Sequence, residues 1–186
     1  MLALLATALV LAGVLVTILS VHLVTLLQAR NIGLAAAVSL GMLIGPAQVG
    51  GRIIEMAFEQ RYHPIWTLVG ASLLIASGVV LLYLGFRVPA LALVLYGAGN
   101  GIWTIARGAL PLAMFGPRDY PVLMGKLAMP SLAAQAVAPA IGAFLIDAGG
   151  PDRVFALVAC LALANVGAVL ALLRISSSRA LSDLDR

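Results

Sequence analysis

Six apolar runs divide this chain almost from end to end, each near the ~20 residues that cross ~30 Å of hydrocarbon as a helix. They read as Leu2–Leu27, Leu34–Phe58, Ile65–Phe86, Ala90–Phe115, Val122–Ile146 and Val154–Leu173. Only short turns separate them, the charged connector Glu59–Pro64 and the turns Gly116–Pro121 and Asp147–Arg153 among them. In hydrocarbon every backbone N–H and C=O must be satisfied inside its own segment, so runs of this length specify helices. The pattern predicts an all-α integral membrane protein: a six-span domain, residues 1–175, and a cytoplasmic polar tail, 176–186, expected to be disordered.

Composition agrees. Only 10% of residues are charged and 63% are hydrophobic, whereas a soluble domain carries about 25% charge to cover its surface. The net charge of +4 comes from basic residues scattered one or two per turn, a membrane-topology pattern rather than a phosphate-tracking stripe. Nucleic acid is therefore not an expected partner; the lipid bilayer is. With one cysteine, Cys160, no CxxC and no His/Cys cluster, the sequence predicts neither an intrachain disulfide nor a metal site. No phosphate-loop motif marks an ATP-driven pump, and no cofactor is expected. The first charge is Arg30, and the apolar run before it is too long for a signal peptide. It starts without a polar leader, as a chain beginning at the edge of a larger protein would.

Basic residues also set an expected orientation. With the N-terminus inside, Arg52, Arg61, Arg118, Lys126, Arg174, Arg179 and Arg186 fall on the inner side, against Arg30, Arg87 and Arg153 outside. This bias predicts cytoplasmic termini in a plasma membrane, of the bacterial inner-membrane type, and disfavours a dual-topology protein.

Polar residues inside the spans point to function, because an ionised side chain at mid-span costs ~2.5–3.5 kcal/mol on insertion scales. In the fourth span Tyr96, Asn100, Thr104 and Arg107 share one helical face, beside a stripe of Gly97, Gly101 and Gly108 suited to close helix approach. In the second, Gln48, Arg52 and Glu55 fall in one arc with Gly41 and Gly45. Arg52 and Glu55, three apart, are placed to form a gating or structural pair or a solvated helix-end pair. In the fifth, Ser131, Gln135, Pro139 and Gly142 share a face, and Pro130 and Pro139 free backbone carbonyls. Gln135 reads equally as a substrate contact or an interhelical hydrogen bond.

The first span carries Thr17, Ser20 and Gln28 on one side. His22 lies off that stripe, either a proton-relay candidate or a packing histidine. The third and sixth spans hold few polar groups, Thr67, Ser72, Ser77 and Asn165, and read as lipid-facing. Three readings compete for Arg107: contact with an anionic or carbonyl-bearing substrate, a salt bridge to another helix or chain, or snorkelling toward the interface. No Asp or Glu lies at its depth, Glu55 being nearer the surface.

The chain resembles the C-terminal six-helix half of a major facilitator superfamily transporter, over about Leu2–Leu173. The resemblance is carried by Ser20-Val-His-Leu with Leu-Leu-Gln-Ala-Arg30, by Gly45-Pro-Ala-Gln-Val-Gly-Gly-Arg52, and above all by Gly97-Ala-Gly-Asn-Gly-Ile-Trp-Thr-Ile-Ala-Arg-Gly108 and Leu-Ala-Met-Phe-Gly116. The family's Asp-Arg-x-Gly-Arg loop pattern survives only as Gly51-Arg52. The resemblance implies two inverted three-helix repeats, alternating access, and a second six-helix half, in the same or a separate chain, as partner. It also implies a cavity lined by the first, second, fourth and fifth spans.

The leading expectation is a secondary carrier, or its C-terminal half, moving a small organic solute. Its substrate-contacting residues would be Arg107, Asn100, Thr104, Gln48 and Gln135, with Gly41, Gly45, Gly97 and Gly101 packing helices. The alternative is a non-transporting subunit or truncated half-carrier that docks on another membrane protein. No nucleophile and base converge, so an enzyme is not expected.

Overall fold

A computed structural model describes residues 1–58, 63–118 and 120–184. The connector holding Arg61, position 119 and the terminal Arg186 lie outside the described residues, as do the side chains of the tail, Arg179 included. Seven α-helices follow one another among the described residues: α1 Leu2–Ala29, α2 Leu34–Met42, α3 Ile44–Phe58, α4 Pro64–Tyr83, α5 Pro89–Phe115, α6 Tyr120–Gly149 and α7 Pro151–Leu184. With α2 and α3 counted as one span, six are long and apolar enough to cross a membrane, so the chain is a multi-pass membrane protein.

Helix ends follow local chemistry. Pro64 and Pro89 open α4 and α5 at the position where a missing N–H costs nothing. His63 Nδ1 accepts the Ile65 N–H at 3.2 Å to cap α4. Gly116 and Gly150, at φ +75° and +82°, give the backbone the left-handed turn that ends α5 and α6.

Two boundaries differ from expectation. The second span is not one continuous helix but breaks at Leu43, because Pro46 offers no N–H to the Met42 carbonyl and its ring crowds that turn. The sixth does not end at Leu173: α7 continues as helical backbone to Leu184, so the stretch expected to be disordered is helical over its described length.

Two groups of helices form. Helix α5 packs on α3 and α4, and α1 packs on α6 and α7; α4 lies against α7 and joins the groups, while α5 and α6 touch little. The first group is sealed by glycines. A methyl at Gly97 would meet Ile44 and Ala47 of α3, one at Gly101 the Gln48 backbone, and one at Gly51 the Ala98 backbone. Backbones this close gain dispersion and weak Cα–H···O contacts that larger residues would forbid.

The second group is sealed by polar groups as well. Ser131 Oγ donates to the Leu9 carbonyl at 3.2 Å, Asn165 Nδ2 to the Ala8 carbonyl at 2.7 Å, and Thr17 Oγ1 to Gln135 Oε1 at 3.4 Å. Burial within the chain does not follow polarity. Helix α4, expected to face lipid, is the most buried span, and the second and fifth spans are the most exposed. Its Ala71 and Gly78 let α5 lie close on one side, while Trp66, Leu73 and Tyr83 stay exposed along the other.

At the end of the bundle where α1 runs into α2, Arg30 ties three connections together. Its Nη2 donates to the Tyr83 carbonyl at 2.9 Å and lies 3.2 Å from Asp152 Oδ1, and the guanidinium sits 4.8 Å from the Phe155 ring centre.

Candidate functional site

Where α5 and α6 diverge, a cavity of about 490 Å³ opens between them with Leu9 of α1 against it. Helix α5 contributes Trp103, Thr104, Arg107 and Gly108, and α6 contributes Tyr120, Met124, Leu127, Ser131 and Gln135. Its volume falls in the roughly 300–1,000 Å³ range of small-molecule sites. The geometry follows from the short connection after Phe115: α6 begins at the end of the bundle where α5 stops, so Tyr120 comes back beside Gly108.

The neutral polar groups here already have partners. Thr104 Oγ1 donates to the Gly101 carbonyl at 2.6 Å, and Tyr120 Oη donates to the Gly108 carbonyl at 3.3 Å. Gln135 Nε2 donates to the carbonyl and the hydroxyl of Ser131, at 3.1 and 3.0 Å. Two donors are left. Arg107 is exposed, forms no ion pair or hydrogen bond with a described residue, and rests 5.4 Å from the Trp103 ring centre. Trp103 is 5% exposed, and its Nε1–H is buried with no acceptor among the described residues. Pro111 and Pro139 stand four residues after Arg107 and Gln135, so both residues' carbonyls lose their helical N–H donor.

Of the residues expected to contact substrate, Arg107, Thr104 and Gln135 line this one cavity. Asn100 does not line it; it is buried one turn away and forms no side-chain hydrogen bond with a described residue. Gln48 does not line it either; its backbone meets Gly101 where α3 crosses α5.

His22 is also outside. Its Nε2 is 3.0 Å from the Pro139 carbonyl, and its ring fills the space that a side chain at Gly142 would need, so it bridges α1 to α6. Arg52 and Glu55 are not joined as an ion pair; Glu55 Oε1 accepts a 2.5 Å hydrogen bond from Thr67 and so ties α3 to α4. Gly97 and Gly101 sit at a helix crossing, whereas Gly45 faces open space and Gly41 meets only Leu23, at 3.6 Å.

Trp103 and Tyr120 were missed. The first reads as one more apolar residue of a span and the second as part of a turn. Their signal is positional: Trp103 lies one turn before Arg107, and Tyr120 follows a turn short enough to return it beside Gly108.

A second cavity, about 430 Å³, lies at the opposite end of the bundle and is lined by Arg30, Arg87, Phe86 and Phe155. Its better-held arginine is the one already engaged by Asp152 and the Tyr83 carbonyl. No protein-family model matches the chain, and neither a curated protein nor a solved structure shows significant similarity to it.

Proposed function

We infer that the chain is a secondary carrier, or the six-helix half of one, that moves a small organic solute across a membrane by alternating access. One observation carries this reading: an arginine with no counter-ion among the described residues lines a cavity between two helices that barely touch. Packing alone gives a bilayer protein no reason to keep such a charge, since leaving it unpaired there is costly. Contact with a solute supplies one. The two loosely packed helices can separate or close without breaking a tight interface. The chain is read as a carrier rather than an enzyme.

The same reading takes the fold as half of a major-facilitator-like transporter built from two inverted three-helix repeats, and three crossings support it. Helix α5 meets α3 at Gly97/Ile44 and Gly101/Gln48, and meets α4 at Tyr96/Gly78. Helix α1 meets α6 at Leu9/Ser131 and Gly13/Gln135, and meets α7 at Ala8/Asn165. One shift of about 87–88 residues carries each pair of the first set onto a pair of the second, exchanging the first three spans with the last three. An odd number of spans per unit makes the two units antiparallel, the arrangement that gives a carrier two equivalent states. A second six-helix half, on the same or another chain, would close the cavity, and the termini are assigned to the cytoplasmic side of a bacterial-type inner membrane.

The docking-subunit alternative drew on the glycine faces, and of these Gly97 and Gly101 are occupied within the chain. Uptake by proteoliposomes separates the two readings. Vesicles holding the protein, with its second half where one exists, should accumulate at least one solute from a radiolabelled panel of small organic acids, amides and amines. Loss of that uptake in Arg107→Gln would tie it to the cavity. Vesicles that accumulate none of the panel above protein-free controls would sink the carrier reading.

A further inference from the structure

We propose that the α5–α6 cavity selects a carboxylate borne on a small apolar body, a proposal that rests on reading this cavity as the solute site. The selection follows from which donors and acceptors are already engaged. Thr104, Tyr120, Ser131 and Gln135 direct their protons to protein oxygens, so none of them is a ready donor to a newcomer. The donor in reserve at the cavity surface is the Arg107 guanidinium; behind it, four residues earlier on the same face of α5, the buried Trp103 Nε1–H has no acceptor among the described residues and meets a ligand only if the indole shifts. A group that satisfies Arg107 must be an acceptor, and a planar carboxylate matches the guanidinium fork with two parallel hydrogen bonds.

Among the described residues no Asp or Glu lines the cavity to attract an ammonium group. An amide would present one acceptor oxygen and bring N–H donors of its own. The rest of the wall, Met124, Leu127, Leu132 and Leu9, is aliphatic or thioether and suits an aromatic or short branched body. Such a ligand replaces water on Arg107 with a fixed counter-ion and also covers the Trp103 indole.

An anionic lipid carries the same chemistry, a negative group on an apolar body. We commit to the soluble form because the volume of about 490 Å³ beside Arg107 matches that of small-molecule sites.

Trp103 is its own reporter. The chain has two tryptophans, and the other, Trp66, lies outside this cavity, so Trp66→Phe leaves fluorescence from Trp103 alone. Purified Trp66→Phe protein in a neutral detergent is titrated with benzoate, benzamide and benzylamine, which share a ring and differ in charge. Benzoate should change the fluorescence saturably, and the amide and the amine should not. Adding Arg107→Gln should weaken benzoate binding on the order of tenfold to a hundredfold, with Arg107→Lys recovering part of it. Arg107 is exposed, so these variants should fold.

Benzamide binding as tightly as benzoate would overturn the carboxylate selection and leave the cavity standing as a solute site. Silence from all three probes would overturn the proposal, while uptake in proteoliposomes judges the carrier reading separately. In nanodiscs, phosphatidylglycerol should not compete with benzoate relative to phosphatidylcholine. Competition that disappears in Arg107→Gln would assign the site to lipid and overturn the soluble ligand.

Discussion

Arg30 and Arg107 each stand beside an aromatic ring at the wall of a cavity, yet their surroundings differ in kind. Arg30 has a carboxylate, a backbone carbonyl and the Phe155 face, which together join the ends of α1, α4 and α7. Among the described residues Arg107 has the Trp103 face alone. An arginine whose donors are taken up by the protein acts as a clasp, and its removal should loosen the bundle. One whose donors remain available interacts with something that arrives, and its removal should leave the bundle intact. Cavity size does not separate the two sites, since the volumes are similar. What separates them is the state of the hydrogen bonds.

Four substitutions sharpen or break this contrast. Arg107→Gln should have the largest effect: a loss of ~1.5–3 kcal/mol in carboxylate binding with an unchanged unfolding midpoint, read by calorimetry and thermal denaturation on one sample. A lowered midpoint would mean that Arg107 is structural after all. Arg30→Gln should do the reverse. It should cost about 1–2 kcal/mol of stability, because a charged hydrogen bond and a ring contact go together, and leave binding unchanged.

Trp103→Phe keeps an aromatic face for Arg107 but removes the Nε1–H and shrinks the bicyclic ring, so binding should weaken by about 0.5–1.5 kcal/mol in calorimetry. No change in affinity would show that the indole N–H makes no contact with the ligand. Asp152→Asn should be mildest. The aspartate side chain is 83% exposed, so the pair is worth no more than ~1 kcal/mol, and the difference from wild type should vanish in high salt. A salt-independent loss would assign Asp152 a role other than pairing with Arg30.

The six spans were legible because bilayer crossing is a matter of length and apolar content, both carried by the one-dimensional string. The break at Leu43 was not. Pro46 splits its span, yet Pro111, Pro130 and Pro139 sit inside unbroken helices, so a proline in the sequence does not reveal which outcome its neighbours impose. Arg107, Thr104 and Gln135 were legible as polar positions, and the structure brings those three into one cavity.

Gln48 and Gln135 read alike, one mid-span glutamine each, but Gly101 draws α3 so close to α5 that Gln48 belongs to a backbone crossing instead. Helical periodicity gives the face a residue occupies, not what packs there. For the same reason Arg30 read only as a topology charge. Its partners Tyr83 and Asp152 lie far along the chain, and such pairings depend on how the helices assemble.

Thiol accessibility at Thr104 tests the central claim, that the Arg107 cavity is a solute site, most directly. In a Cys160→Ser background, which removes the native thiol, Thr104→Cys is labelled with a membrane-impermeant maleimide in right-side-out and in inside-out vesicles. The account predicts labelling slowed by benzoate in proportion to its occupancy, and no benzoate effect once Arg107→Gln is added. Labelling that ignores benzoate altogether, or that benzoate slows as strongly without Arg107 as with it, would contradict it.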